Sequence, residues 1–140
     1  DVVRQLPEYQ PEHTGRVAVF HIPLRQYSAA WEHPQARGFK GEGVSYYQED
    51  GKNLSCFVQH SIRVAICGHN HTNDYEGSTE NTRLIYGRAT GLQGYGGDVL
   101  PKGAKLYEYD PETRDLAWKT VLPDGTIWQP SPGEKSEKNS

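Results

Sequence analysis

Residues 68 to 71, Gly-His-Asn-His, set two imidazoles one residue apart, directly after the apolar run Val64-Ala65-Ile66-Cys67. A third histidine, His21, closes another apolar run, Val17-Ala18-Val19-Phe20, just before Ile22 and Pro23. Neutral imidazole is the commonest side-chain ligand for borderline divalent metals. In an extended segment His69 and His71 share a face while Asn70 points away. Gly68 is expected to let the backbone turn there. Once the segment bends, the two rings can serve two metals. Metals roughly 3.5–4 Å apart clamp the attacking and leaving oxygens of a phosphoryl displacement. Packing histidines with satisfied hydrogen bonds fit the same pattern, and the residues alone leave both readings open. His13 and His33 sit in polar loops beside prolines, and His60 stands where a helix end favours a cation, so these three read as non-ligands.

The elements around these rings must bring them together. Residues 16 to 22 read as a strand covered on both faces, stopped by Pro23. Residues 25 to 32 read as a short helix, and 33 to 52 as a long surface excursion. Leu54, Phe57 and Val58 recur at helical spacing. The stretch 62 to 66 reads as a second buried strand and 83 to 87 as a third. The glycine-rich loop 88 to 98 follows. Two strands, 104 to 110 and 116 to 122, flank the turn Pro111-Glu112-Thr113-Arg114-Asp115. A helix between the first two buried strands is how parallel neighbours are joined. Parallel neighbours end on one sheet edge, where ligand sites of open α/β sheets gather. The reading is a single mixed α/β layered domain.

The chain has 140 residues and a net charge of -3 with no basic run, so nucleic acid and membrane surfaces are not expected partners. No apolar stretch approaches the roughly 20 residues of a membrane span. Cys56 and Cys67 sit in apolar settings and read as buried thiols, with a disulfide as the alternative. Asn53-Leu54-Ser55 and Asn70-His71-Thr72 fit the N-glycosylation pattern. Secreted and intracellular settings both remain open. The opening Asp1 to Leu6 reads as the end of a helix. Residues 129 to 140, rich in Pro, Ser, Gly and charge, read as a disordered tail.

The stretches VFHIPLRQY, ICGHNHTNDY, YGRATGLQGYGG and GAKLYEYD, with weaker matches at GEGV and GKNLSCF, resemble the calcineurin-like metallophosphoesterases. Within them the similarity is to the purple-acid-phosphatase-like, Dcr-type branch, and it runs from about residue 16 to about residue 122. It implies the C-terminal half of a four-layer αββα sandwich, mixed β-sheets flanked by helices. Residues 1 to 128 would form that part. The resemblance further implies a dinuclear centre of Fe, Zn, Mn or Mg, with His21 and His69 on the second metal and His71 on the first.

The family's other three motifs are an Asp with a nearby His, a Gly-Asp-x-x-Asp/Tyr, and a Gly-Asn-His-Glu/Asp. They would supply the carboxylate and asparagine ligands and a proton donor, and none occurs in this sequence. The chain is therefore expected to be part of a longer phosphatase, with the N-terminal portion of the same protein as its partner and a phosphorylated molecule as substrate. The catalytic proton donor is expected outside these residues. The alternative is a non-catalytic half-domain or binding module without the acidic ligands. For Arg88 two readings stand, a bidentate phosphate contact and a structural ion pair. Tyr95 is expected to wall the pocket.

Overall fold

Six strands make one mixed sheet in the order β1-β3-β5-β4-β2-β9, and three more make an antiparallel sheet in the order β6-β7-β8. This computed structural model describes residues 15–48 and 52–138. The elements follow in chain order as β1 (Arg16–Val19), α1 (Gln26–Trp31), β2 (Arg37–Lys40), α2 (Asn53–Gln59), β3 (Ile62–Cys67), β4 (Asn73–Thr79), β5 (Thr82–Tyr86), β6 (Ala104–Asp110), β7 (Asp115–Val121), β8 (Ile127–Trp128) and β9 (Lys135–Glu137). Among the described residues no helix is long and apolar enough to cross a membrane. The helix expected at Asp1 to Leu6 lies outside the described residues.

Side chains of successive strand residues point to opposite faces, and this alternation builds two cores. On one face Ala65, Cys67, Leu84 and Tyr86 meet Leu24, Tyr27, Ala30 and Trp31 of the α1 region and Leu54 and Phe57 of α2. On the other, Val64, Ile66 and Ile85 meet Leu116 and Trp118 of the second sheet. The molecule is thus three layers, helices on a mixed sheet on an antiparallel sheet. This is the mixed α/β architecture expected, and it is compatible with the C-terminal part of the sandwich. Burial alone stabilises such side chains by about 1.5–3 kcal/mol each.

β4 departs from the apolar pattern. Its Asp74 and Glu76 are buried between the sheets. Asp74 meets Arg88 at 2.6 Å and also pairs with Lys105, while Thr120 donates to it at 2.9 Å. Glu76 takes Arg37 at 2.8 Å, Arg83 at 2.5 Å and the Trp118 indole at 2.6 Å. Burial pushes the Glu76 carboxyl up, yet the bonds from Arg83, Trp118 and Arg37 outweigh it and leave it below its ordinary value. Buried charge persists because each oxygen is paired.

Three expectations need correction. β1 is an edge strand and only one of its faces packs into a core; the second sheet meets its start, where Gly15 N–H donates to the Tyr109 hydroxyl at 3.0 Å, but leaves Val17 and Val19 open. Val17 is 40% and Val19 75% exposed, while Ala18 and Phe20 pack on the helix-side core. The excursion over 33 to 52 contains β2, which pairs antiparallel with β4 through Gly38 and Tyr75. The segment from 129, expected to be disordered, carries β9 in parallel register with β2. Its backbone accepts the Gly38 N–H at Glu134 O, 2.9 Å, and Glu137 takes the Trp31 indole N–H. Composition missed this because every side chain of β9 is exposed and polar; backbone bonds pair the strand with β2, and Glu137 and Lys135 reach Trp31. Cys56 and Cys67 are both free thiols.

Candidate functional site

β1, β3 and β5 run parallel and end together. The register pairs Val17 with Val64, Val19 with Ile66, Val64 with Arg83 and Cys67 with Tyr86. The ladder continues past the strands, with Phe20 N–H to Ile66 O, Gly68 N–H to His21 O, both 3.0 Å, and Gly87 N–H to Cys67 O at 2.7 Å. The chain therefore delivers His21, Gly68 with His69, and Gly87 with Arg88 to one edge. There they border a cleft of about 420 Å³, together with Asn70, His71 and the loop residues Ala89 to Gly91 and Gly94.

His69 Nδ1 and His21 Nε2 stand 3.3 Å apart, with the rings edge to face at 82°. As drawn, one ring's N–H can face the other's lone pair. The same separation suits a shared ion, since two nitrogens bonded at about 2.0–2.1 Å to one tetrahedral metal lie about 3.3–3.4 Å apart. His71 is turned elsewhere. Its ring stacks on Tyr95 at 4.3 Å between centroids and 9° between planes. Among the described residues no three His, Cys, Asp or Glu side chains gather closely enough to hold a metal. The donors present thus fit half of a metal site, a histidine pair with a third imidazole set apart.

The turn that separates the rings is strained. The Asn70 N–H bonds Gly68 O at 2.9 Å, spanning two residues, and the residue between, His69, has φ 72°. That is a γ-turn of the form with positive central φ, the rarer and more strained of the two. The left-handed residue is therefore His69 and not Gly68. Gly68 carries no positive φ, and a Cβ there would sit 3.7 Å from His21 Nδ1, an ordinary contact. Glycines that leave no room for a side chain do lie in the loop beside His71: a Cβ at Gly94 would fall 2.7 Å from His71 Cε1, and one at Gly96, where φ is 81°, 2.4 Å from Thr72 Cγ2.

Residues the sequence reading passed over hold the turn. Asn70 is 3% exposed. Its Oδ1 accepts the Tyr86 hydroxyl at 2.9 Å and the Ser45 N–H at 3.1 Å, while its amide donates to Gly43 O and Ser45 Oγ. So buried, Asn70 offers no acceptor for a glycan. Glu42 accepts the Thr72 N–H and hydroxyl at 2.9 and 2.8 Å, the Asn70 amide at 3.2 Å, and the Tyr95 hydroxyl at 2.9 Å. Burial pushes the Glu42 carboxyl up, but these donors outweigh it and lower it. Burial and the Glu42 carboxylate raise the Tyr95 hydroxyl. The signal for Glu42 was its place in GEGV, which says nothing of a partner about thirty residues on.

Arg88 borders the cleft, but its guanidinium is committed. Nε pairs with Asp74, Nη1 donates to Pro101 O at 2.6 Å, and the group lies 5.2 Å from the Trp128 ring centroid. Of its two readings the ion pair is the one seen. Tyr95 is 56% exposed and flanks His71. His60 caps the C-terminus of α2, and His33 accepts the Gln35 N–H, both away from the cleft. His13 lies outside the described residues.

Two curated proteins of Arabidopsis thaliana are similar to the chain. The probable inactive purple acid phosphatase 28 is 30% identical over 93 residues, 66% of this chain and 23% of that protein. The probable inactive purple acid phosphatase 29 is 28% identical over 95 residues, 67% of this chain and 24% of that protein. The chain spans about a quarter of the length of these relatives. No family model matches it, and neither does any solved structure.

Proposed function

Because the chain is related to the purple-acid-phosphatase-like metallophosphoesterases, we propose that it is the histidine-bearing part of a metal-dependent phosphoester hydrolase. One observation carries this reading. Parallel strands deliver His21 and His69 to one sheet edge with nitrogens 3.3 Å apart, a spacing that one metal can bridge. His21 and His69 would hold one ion and His71 another. Two such ions, when bound, supply an activated water and offset charge on the transferred phosphoryl group.

This chain's own residues do the positioning. The ladder between β1 and β3 sets the distance between His21 and His69, and the γ-turn parts His69 from His71. Residues 88 to 91 and Gly94 wall the cleft with the histidines. Carboxylate and asparagine ligands, and the proton donor, would come from the N-terminal portion of the same protein, and a phosphorylated molecule would be the substrate. Arg88 and Tyr95 are assigned no contact with that substrate. Arg88 keeps Asp74 neutralised, and Tyr95 braces His71.

A second reading has its own support, since both relatives are named as inactive. In it the chain belongs to a non-catalytic protein of the same origin. Assay of the full-length protein on p-nitrophenyl phosphate and on a bis-nitrophenyl diester separates the two. The proposal expects turnover that chelator abolishes and that His69→Ala lowers at least about 100-fold, the scale of a lost electrostatic contact to the reacting centre. Equal rates for wild type and His69→Ala, or no turnover with metals supplied, would favour the non-catalytic protein.

A further inference from the structure

We infer that Glu42 is a positioning residue which, through Tyr95, presets the proton placement and orientation of the His71 ring, leaving Nε2 as its metal-facing nitrogen. The inference rests on the reading of His71 as a ligand and goes beyond it to a carboxylate with no assigned part.

Tyr95 meets Glu42 through its hydroxyl and meets His71 at two places, the hydroxyl at the backbone N–H and the carbonyl at Nδ1. A carboxylate can only accept, so the Tyr95 hydroxyl, 2.9 Å from both Glu42 oxygens, must point its proton at them. That leaves the hydroxyl oxygen's lone pairs free, and the His71 N–H donates to it at 3.2 Å. A carbonyl likewise has no proton to give. A proton on His71 Nδ1, 3.3 Å from Tyr95 O, lets the ring donate to that carbonyl, and Nε2 then keeps the lone pair. Lys102 Nζ donates to the same carbonyl at 2.5 Å and fixes where it stands. The Tyr95 ring stacks on the imidazole, and Gly94 stands close enough to it that a Cβ there would fall 2.7 Å from His71 Cε1. Ligating histidines are oriented in this way, through a hydrogen bond from the second ring nitrogen, and loss of the outer partner commonly costs 10–100-fold in metal affinity.

Glu42 is the origin of the chain. It binds Thr72 twice and Asn70 once, so it locks the turn on both sides of His71 as well as the tyrosine that faces it. A glutamine at 42 would keep one acceptor and bring a donor that opposes Thr72 or Tyr95.

The test reads the tautomer of His71 by long-range ¹H–¹⁵N correlation on the metal-free full-length protein above neutral pH. In the wild type His71 is expected in the Nδ1–H form. Glu42→Ala should shift it toward the Nε2–H form that free imidazoles favour. Glu42→Gln and Tyr95→Phe should fall between, with His21 and His69 unmoved. Tyr95→Phe removes one exposed hydroxyl, so it keeps the test alive if Glu42→Ala does not fold. A carboxylate that merely ties loop 41–48 to the turn would lower the melting temperature without moving the tautomer. That result, or an Nε2–H wild type, overturns the inference. In the full-length protein Tyr95→Phe should also weaken zinc binding about 10-fold. A wild type with the expected tautomer and no zinc binding would overturn the metal reading and leave the positioning in place.

Discussion

His69 holds its ring in place at an energetic cost. A non-glycine residue at φ 72° stores on the order of 1–3 kcal/mol, and the bonds of Asn70 on one side and the β1–β3 ladder on the other enforce it. Two substitutions separate strain from chemistry. His69→Gly relieves the left-handed conformation, while His69→Ala keeps it. Chemical denaturation should find the glycine variant about 1 kcal/mol more stable than the alanine variant. Both should lose the metal equally, because both lack the imidazole. Equal stabilities would mean that the turn relaxes and is not strained. At this scale the sequence was informative about residue types. Three imidazoles after two apolar runs stood out from solvent-exposed histidines, and the structure puts all three on one cleft. It was silent about Glu42, whose three partner residues Asn70, Thr72 and Tyr95 come from other segments, and ambiguous about Arg88, whose counter-ion is visible only once β4 is packed.

Elements of apolar pattern were legible. β3, β5, β6 and β7 and both helices fall where apolar spacing puts them, because each buries a face against a neighbour. β4 was not legible. Its residues Asn-Asp-Tyr-Glu-Gly-Ser-Thr look like a loop, but Asp74 and Glu76 are buried by cations from β2, β5, β6 and the loop after β5. A rule that looks for apolar residues on the inner face cannot see a face neutralised by salt bridges. β2 and β9 escaped for another reason, since backbone bonds define them more than side chains do. Removal of residues 134 to 140 tests β9. The Gly38 amide, which donates to Glu134 O, should then exchange at least about tenfold faster, while amides between β3 and β5 keep their protection. Unchanged protection at Gly38 would remove β9 from the sheet in solution.

At the scale of the molecule, three layers account for both the order of the site and its incompleteness. The mixed sheet has helices on one face and the second sheet on the other, and its parallel strands end where the histidines stand. Among the described residues no strand pairs with the outer side of β1, and Val17 and Val19, close in sequence to His21, are exposed. An unpaired strand edge with exposed valines is a surface that further chain can cover. The account proposes that the rest of a longer protein lies there and brings the oxygen ligands that the described residues lack. Metal content tests this most directly. Elemental analysis of the full-length protein after exhaustive dialysis, beside its intact mass and its His21→Ala and His69→Ala variants, is the measurement to make. The account predicts about two metal ions per wild-type molecule and about one fewer in either variant. A wild type that retains no metal, or variants that retain as much as the wild type, would contradict it.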